Sequence, residues 1–150
     1  MSTRSYVGAL DADARTYRVR YAHFDGDPDT MPYLIAAVWW HTFGCDSART
    51  VAALLAHDWE QIGPDFTAHT PLSMSGYQTV PGVGMALPTA DTSTDPITGQ
   101  LTDPVGEYPI RWMYLFHAAE PGRLLICANT GEWTVRHRLD LTVGRDVVVV

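Results

Sequence analysis

The chain contains no lysine: all ten of its basic side chains are arginine. Binding chemistry does not ask for this, because phosphate sites use both residues; a GC-rich coding sequence accounts for it. Cysteine is scarce too. Cys45 and Cys127 are the whole complement, too few for a disulfide framework, and both read as free thiols. Long apolar runs are missing. The longest, residues 33–40, falls far short of the ~20 residues that span a bilayer, so no membrane partner is expected. The opening Met1-Ser2-Thr3-Arg4 leads into Ser5 and Tyr6 and not into an apolar signal core, which predicts a chain kept in the cytoplasm. Positive charge is in deficit: 10 basic against 17 acidic residues give a net charge of −7, which argues against broad nucleic-acid affinity. No G-x-G-x-x-G, Walker A or G-x-S-x-G motif occurs, and no cofactor is expected.

What remains is a globular composition. The 150 residues predict one domain, 1–150, and 46% hydrophobic with 18% charged residues is enough apolar matter for a packed core. Residues 5–10 and 16–24 read as two strands around the turn formers Asp11-Ala12-Asp13-Ala14. On the second, Tyr17, Val19, Tyr21 and His23 share a face expected to pack inward, and Arg18, Arg20, Ala22 and Phe24 share the other. Two amphipathic helices follow. Thr30 is the expected cap of the first, with Pro32 in its first turn and Gly44 as its stop. Asp46 is the expected cap of the second, whose stripe Val51, Leu54, Leu55, Trp59 and Ile62 ends at Gly63-Pro64. Residues 64–110 carry seven of the ten prolines with many Thr, Ser, Asp and Gly, and read as a long loop-rich insertion holding at most short strands such as 75–80. Residues 111–117, 124–128 and 132–141 then read as a three-strand meander, and 147–150 as a last strand or an apolar end. The expected fold is α+β: an antiparallel β-sheet, made of the N-terminal hairpin and the C-terminal meander, covered on one face by two helices.

Three groups of residues suggest chemistry. Asp25, Asp27 and Asp29 have the D-x-D-x-D spacing of a calcium loop, but Thr30 stands where such a loop needs Gly and Ala36 where it needs Glu. An EF-hand is excluded, no metal is expected, and the three carboxylates stay as weak candidates for a looser cation site. His23, Asp25, His41 and Cys45 are the candidate catalytic set: Cys45 stands just before the second helix, whose N-terminal dipole would favour a thiolate, with His23 or His41 as base and Asp25 as orienter. Arg18 and Arg20 alternate on one strand, and Arg136 and Arg138 on another. If those strands were neighbours, the four guanidinium groups would line one anion-binding patch.

The segments Thr3-Arg4-Ser5-Tyr6-Val7-Gly8 and His23-Phe24-Asp25-Gly26-Asp27-Pro28, with Ile62-Gly63-Pro64-Asp65 and the later Trp112-Met113-Tyr114-Leu115-Phe116, carry a resemblance. The chain resembles a group of small uncharacterised proteins of actinobacteria and their phages that begin T-R-S-Y-[IV]-G and carry H-[WF]-D-G-x-P after the second strand. It departs from their usual pattern by Phe24 for Trp and Asp27 for Tyr. The likeness spans roughly the first 65 residues and one later strand, implies no activity, and directs attention to the corner formed by His23, Asp25 and Gly26.

The leading expectation is therefore a cytoplasmic accessory protein of phage or prophage origin that binds a host or phage protein. Two alternatives stand beside it: a small enzyme or nucleotide- or anion-binding protein centred on His23, Asp25, His41 and Cys45, and a homo-oligomeric virion or assembly component. Without a complete catalytic set, the balance leans away from an enzyme.

Overall fold

The computed structural model describes residues 3–88, 95–105 and 110–143. β1 (Ser5–Leu10) and β2 (Thr16–Ala22) form the expected hairpin. Asp13 closes its turn, accepting the backbone N–H groups of Arg15 at 2.8 Å and Thr16 at 2.9 Å. These bonds favour the carboxylate and hold the Asp13 pKa below its ordinary value.

The first helix is shorter and less regular than its pattern suggests. α1 (Met31–Ala37) passes into a π-helical turn, Val38–Thr42, and the chain then leaves through Gly44 and Cys45, both at positive φ. Thr30 does not cap α1 with its side chain. The Asp27 carbonyl does the work, accepting the N–H groups of Thr30 at 3.1 Å and Met31 at 3.0 Å. α2 (Ser47–Leu55) is capped as expected, by the Asp46 carboxylate on the Arg49 N–H at 3.0 Å.

α2 does not continue to Ile62. The chain turns after Leu55, the Trp59 indole N–H donates to the Leu54 carbonyl at 2.9 Å, and β3 (Trp59–Ile62) follows. Trp59 and Ile62 are three residues apart, the spacing of a helical stripe, and both reach one core from the strand because the register shifts between Trp59 and Gln61. The 64–110 region is also less irregular than its prolines imply. It contains β4 (Gln78–Val80), β5 (Gly84–Ala86) and β6 (Ile97–Gln100). The meander is present as β7 (Trp112–His117), β8 (Arg123–Asn129) and β9 (Trp133–Asp140). The segment 147–150 lies outside the described residues.

Among the described residues these strands make one mixed, mostly antiparallel sheet in the order β4-β5-β3-β2-β1-β7-β8-β9, with β6 beside the start of β2. Two junctions are parallel: β1 with β7, and β2 with β3. The fold is thus α+β, and both helices lie on one face. There Met31, Ile35, Trp39 and Leu54 pack over Val7, Tyr114, Phe116, Leu124 and Ile126. The opposite face gathers Leu10, Val19, Met113, Leu115, Leu125, Cys127 and Trp133, with Leu101, Val105 and Ile110 of the long insertion packed against them. Tyr17 and Tyr21 pack there, on the inward side expected of them. What the alternation did not give is that the arginine face of β2 is the one beneath the helices.

Candidate functional site

At the His23-Asp25-Gly26 corner the fold accounts for each side chain. His23 Nδ1 lies 2.6 Å from the Tyr21 hydroxyl. Asp25, at φ 60, accepts the Gln61 amide at 3.0 Å. Gly26 is packed so closely that a Cβ there would sit 2.6 Å from the Thr3 carbonyl oxygen and 2.8 Å from Ser5 Oγ. Its own carbonyl accepts the buried Tyr114 hydroxyl at 2.7 Å. Burial pushes the Tyr114 pKa up, so this phenol stays a donor. The corner clamps the end of β2 to β1, β3 and β7. Asp25, Asp27 and Asp29 do not form a cation cluster: Asp27 accepts the Thr30 hydroxyl at 3.2 Å, and among the described residues no group of three or more His, Cys, Asp or Glu side chains is placed to hold an ion.

The four arginines do not make one patch. β2 and β9 are separated by β1, β7 and β8. Their arginines also use different faces: Arg20 lies opposite Val7 on the helix-covered side, whereas Arg138 lies opposite Leu125, whose side chain belongs to the other core. Arg20 is structural. Only 4% exposed, it donates through Nε to the Leu55 carbonyl at 2.8 Å and through Nη2 to the Ala56 carbonyl at 3.4 Å, with Asp58 3.7 Å away. It caps the C-terminus of α2, where the helix leaves carbonyls without partners and the dipole favours a cation.

The proposed catalytic set is divided in the same way. His23 and Asp25 follow the end of β2 that pairs with Ser5, while Cys45 lines a cavity with Ala9 and Arg18, a pair that stands four residues, about 13 Å at the usual strand rise, along the hairpin from that end. His41 is exposed on the π-helical turn and is not part of that group. No single site can use all four.

Cys45 does border a site. A half-open cavity of about 730 Å³ lies between α2 and the ends of β1 and β7. Its origin can be read from α2. Thr50 and Leu54 are the helix's buried contacts, and the adjacent stripe of Ala48, Val51, Ala52 and Leu55, at positions i, i+3, i+4 and i+7, overhangs the cavity. Beneath it, Ala9 and Ala118 are too small to fill the gap, and Phe116 and Pro121 supply apolar wall.

Polar groups stand around this apolar interior. Arg18 pairs through Nε with Asp11 at 3.3 Å and keeps its side chain 46% exposed. His117 Nδ1 accepts the Ala119 N–H at 3.1 Å, so the neutral ring carries its proton on Nε2, whose nearest acidic oxygen, on Glu120, is 3.9 Å away. That tautomer makes His117 a donor and a poor base for Cys45. Ser47 Oγ is occupied by the Trp39 indole at 3.0 Å and the Gly122 N–H at 2.9 Å. Arg18 and Cys45 are legible in the sequence as candidates, but for other sites. His117 carries no motif, and the small residues that open the space are ordinary alanines.

No protein-family model, curated protein or solved structure matches the chain.

Proposed function

We propose that this protein binds a small organic molecule with an apolar body in the cavity beneath α2. The observation that carries the reading is the cavity itself: about 730 Å³, walled by Val51, Leu55, Phe116 and four alanines and edged by a few polar groups. This is the size and lining typical of ligand pockets, which run about 300–1,000 Å³. The site departs from the expected centre on His23, Asp25, His41 and Cys45 and keeps only Cys45 from it. Among the described residues no hydrogen bond links the Cys45 thiol to a histidine or carboxylate, so the reading is one of binding. The test is a fluorescence titration with the uncharged probe N-phenyl-1-naphthylamine. The wild-type chain should give saturable enhancement, and Ala52→Trp, which fills the cavity from an exposed helix position, should abolish it. Equal enhancement in both proteins would refute the reading.

A second reading is the phage or prophage accessory protein that acts in the cytoplasm on a host or phage protein, and a different observation supports its protein-binding part. Leu72 and Met74 stand 54% and 65% exposed on the segment before β4, while Ser73 between them is held to Glu60 by a 2.7 Å hydrogen bond. Two large apolar side chains on a tethered loop are suited to anchor a partner. Leu72→Ser with Met74→Ser should remove a cross-linked complex formed by the wild type while leaving probe binding intact. Loss of the probe site with the complex retained would count against it.

A further inference from the structure

Resting on the cavity reading, we propose that its ligand is an organic anion: an apolar body lodged under α2 and one negatively charged group held by Arg18.

The charged groups in the wall decide this. Arg18, Asp46 and His117 line the cavity. Asp46 is engaged at the first turn of α2, where one carboxylate oxygen accepts the Arg49 N–H and the positive end of that helix offsets part of its charge. Arg18 is differently placed. Its one ion pair uses Nε, and its two terminal nitrogens donate to no described residue. A guanidinium with its fork free beside an apolar space is suited to a planar, bidentate anion such as a carboxylate. His117 adds to this sense, because the hydrogen bond that Ala119 gives to Nδ1 keeps the proton on Nε2 and makes the ring a donor. The N–H groups of Ser47 and Ala48, for which the helix has no carbonyl of its own, belong to residues in the same wall. Apart from the Asp46 carboxylate, the polar groups named here are donors.

Asp11 is the internal competitor. It occupies Arg18 Nε from an exposed position, so it tempers the positive charge that an incoming anion meets. Removing it should strengthen anion binding, a gain that damage to the fold would not produce.

The experiment compares two probes of closely similar shape on the full chain: 8-anilinonaphthalene-1-sulfonate, which keeps its charge across the working pH range, and uncharged N-phenyl-1-naphthylamine. Each is titrated into the wild type, Arg18→Gln, Asp11→Asn and Ala52→Trp. The proposal expects the sulfonate to bind the wild type more tightly than the uncharged probe. Arg18→Gln should weaken the sulfonate by about tenfold or more, the scale of one charge-assisted contact, and leave the uncharged probe within about twofold. Asp11→Asn should tighten the sulfonate only. Equal affinities for the two probes, with neither charge variant moving them apart, would overturn the anion assignment and leave the cavity reading standing. Binding that ignores Ala52→Trp would overturn both.

Discussion

Replacing Arg20 by Met should cost this protein much of its stability, although the side chain looks in sequence like one of a surface row. The guanidinium is 4% exposed and serves as the C-terminal cap of α2. Its 2.8 Å bond to the Leu55 carbonyl is short and charge-assisted, a class worth roughly 1.5–3 kcal/mol. The 3.4 Å bond to Ala56 adds little. Asp58, 13% exposed in its side chain, would lose its cation, and breaking a buried pair from one side costs about 3–5 kcal/mol. These contributions overlap, and methionine refills part of the volume, so the expected net loss is about 3 kcal/mol. At about 2–4 °C per kcal/mol for a chain of this size, the melting temperature should fall by about 6–12 °C. Differential scanning calorimetry at pH 7 measures it, with the exposed Arg136→Ala as a control expected to stay within about 0.5 kcal/mol of wild type. Arg20→Lys should fall between, keeping the charge and losing the fork. A melting temperature for Arg20→Met within 2 °C of wild type would show that Arg20 is not the cap described here.

Three further outcomes follow from the same packing. Gly26→Ala places a Cβ against Thr3 and Ser5 and should destabilise by about 1–3 kcal/mol, read in urea as a lower midpoint at unchanged slope. Ellman's reagent should titrate one thiol in the native chain and two in denaturant, because Cys45 is exposed whereas Cys127 is buried with its pKa pushed up to about 12; two fast native thiols would contradict the β8 core. Desolvation, with Arg20 nearby, holds the His57 pKa below its ordinary value, so the unfolded chain takes up that proton first as pH falls. The His57 contribution is therefore present above about pH 6.5 and is lost as pH drops below it. The drop in melting temperature between pH 7.5 and 5.5 should shrink in His57→Asn, and an unchanged drop would remove His57 from the account.

The hairpin and meander were legible because their strands are six to eight residues long, alternate cleanly and are bounded by Asp, Gly, Asn and Pro turns. β3 was not, since Trp59 and Ile62 have the i, i+3 spacing of a helix and share one core only because the register shifts between Trp59 and Gln61, and a three-residue strand such as Gly84–Ala86 gives no period at all. The parallel contact of β1 with β7 joins residues more than 100 positions apart. No local pattern announces such a contact, and none announces that the helical connection from β2 to the parallel β3 covers the arginine face of β2, which turns Arg20 from surface charge into cap. The cavity is further still from the sequence. It arises where Ala48 and Ala52 on one helix meet Ala9 on β1 and Ala118 in the turn after β7, and a gap between small residues has no signature in any one segment. The H-x-D-G-x-P corner could be seen, but what it does could not: its glycine and carboxylate are taken up by contacts with Thr3, Ser5, Gln61 and Tyr114.

The claim that matters most is that the space under α2 is a ligand site, and amide chemical-shift mapping tests it most directly. On adding 8-anilinonaphthalene-1-sulfonate to ¹⁵N-labelled protein, the account predicts shifts concentrated at Ala9, Arg18, Ala48, Ala52, His117 and Ala118 and absent in Ala52→Trp. Shifts centred on Leu72 and Met74, or spread evenly over the surface, would contradict it.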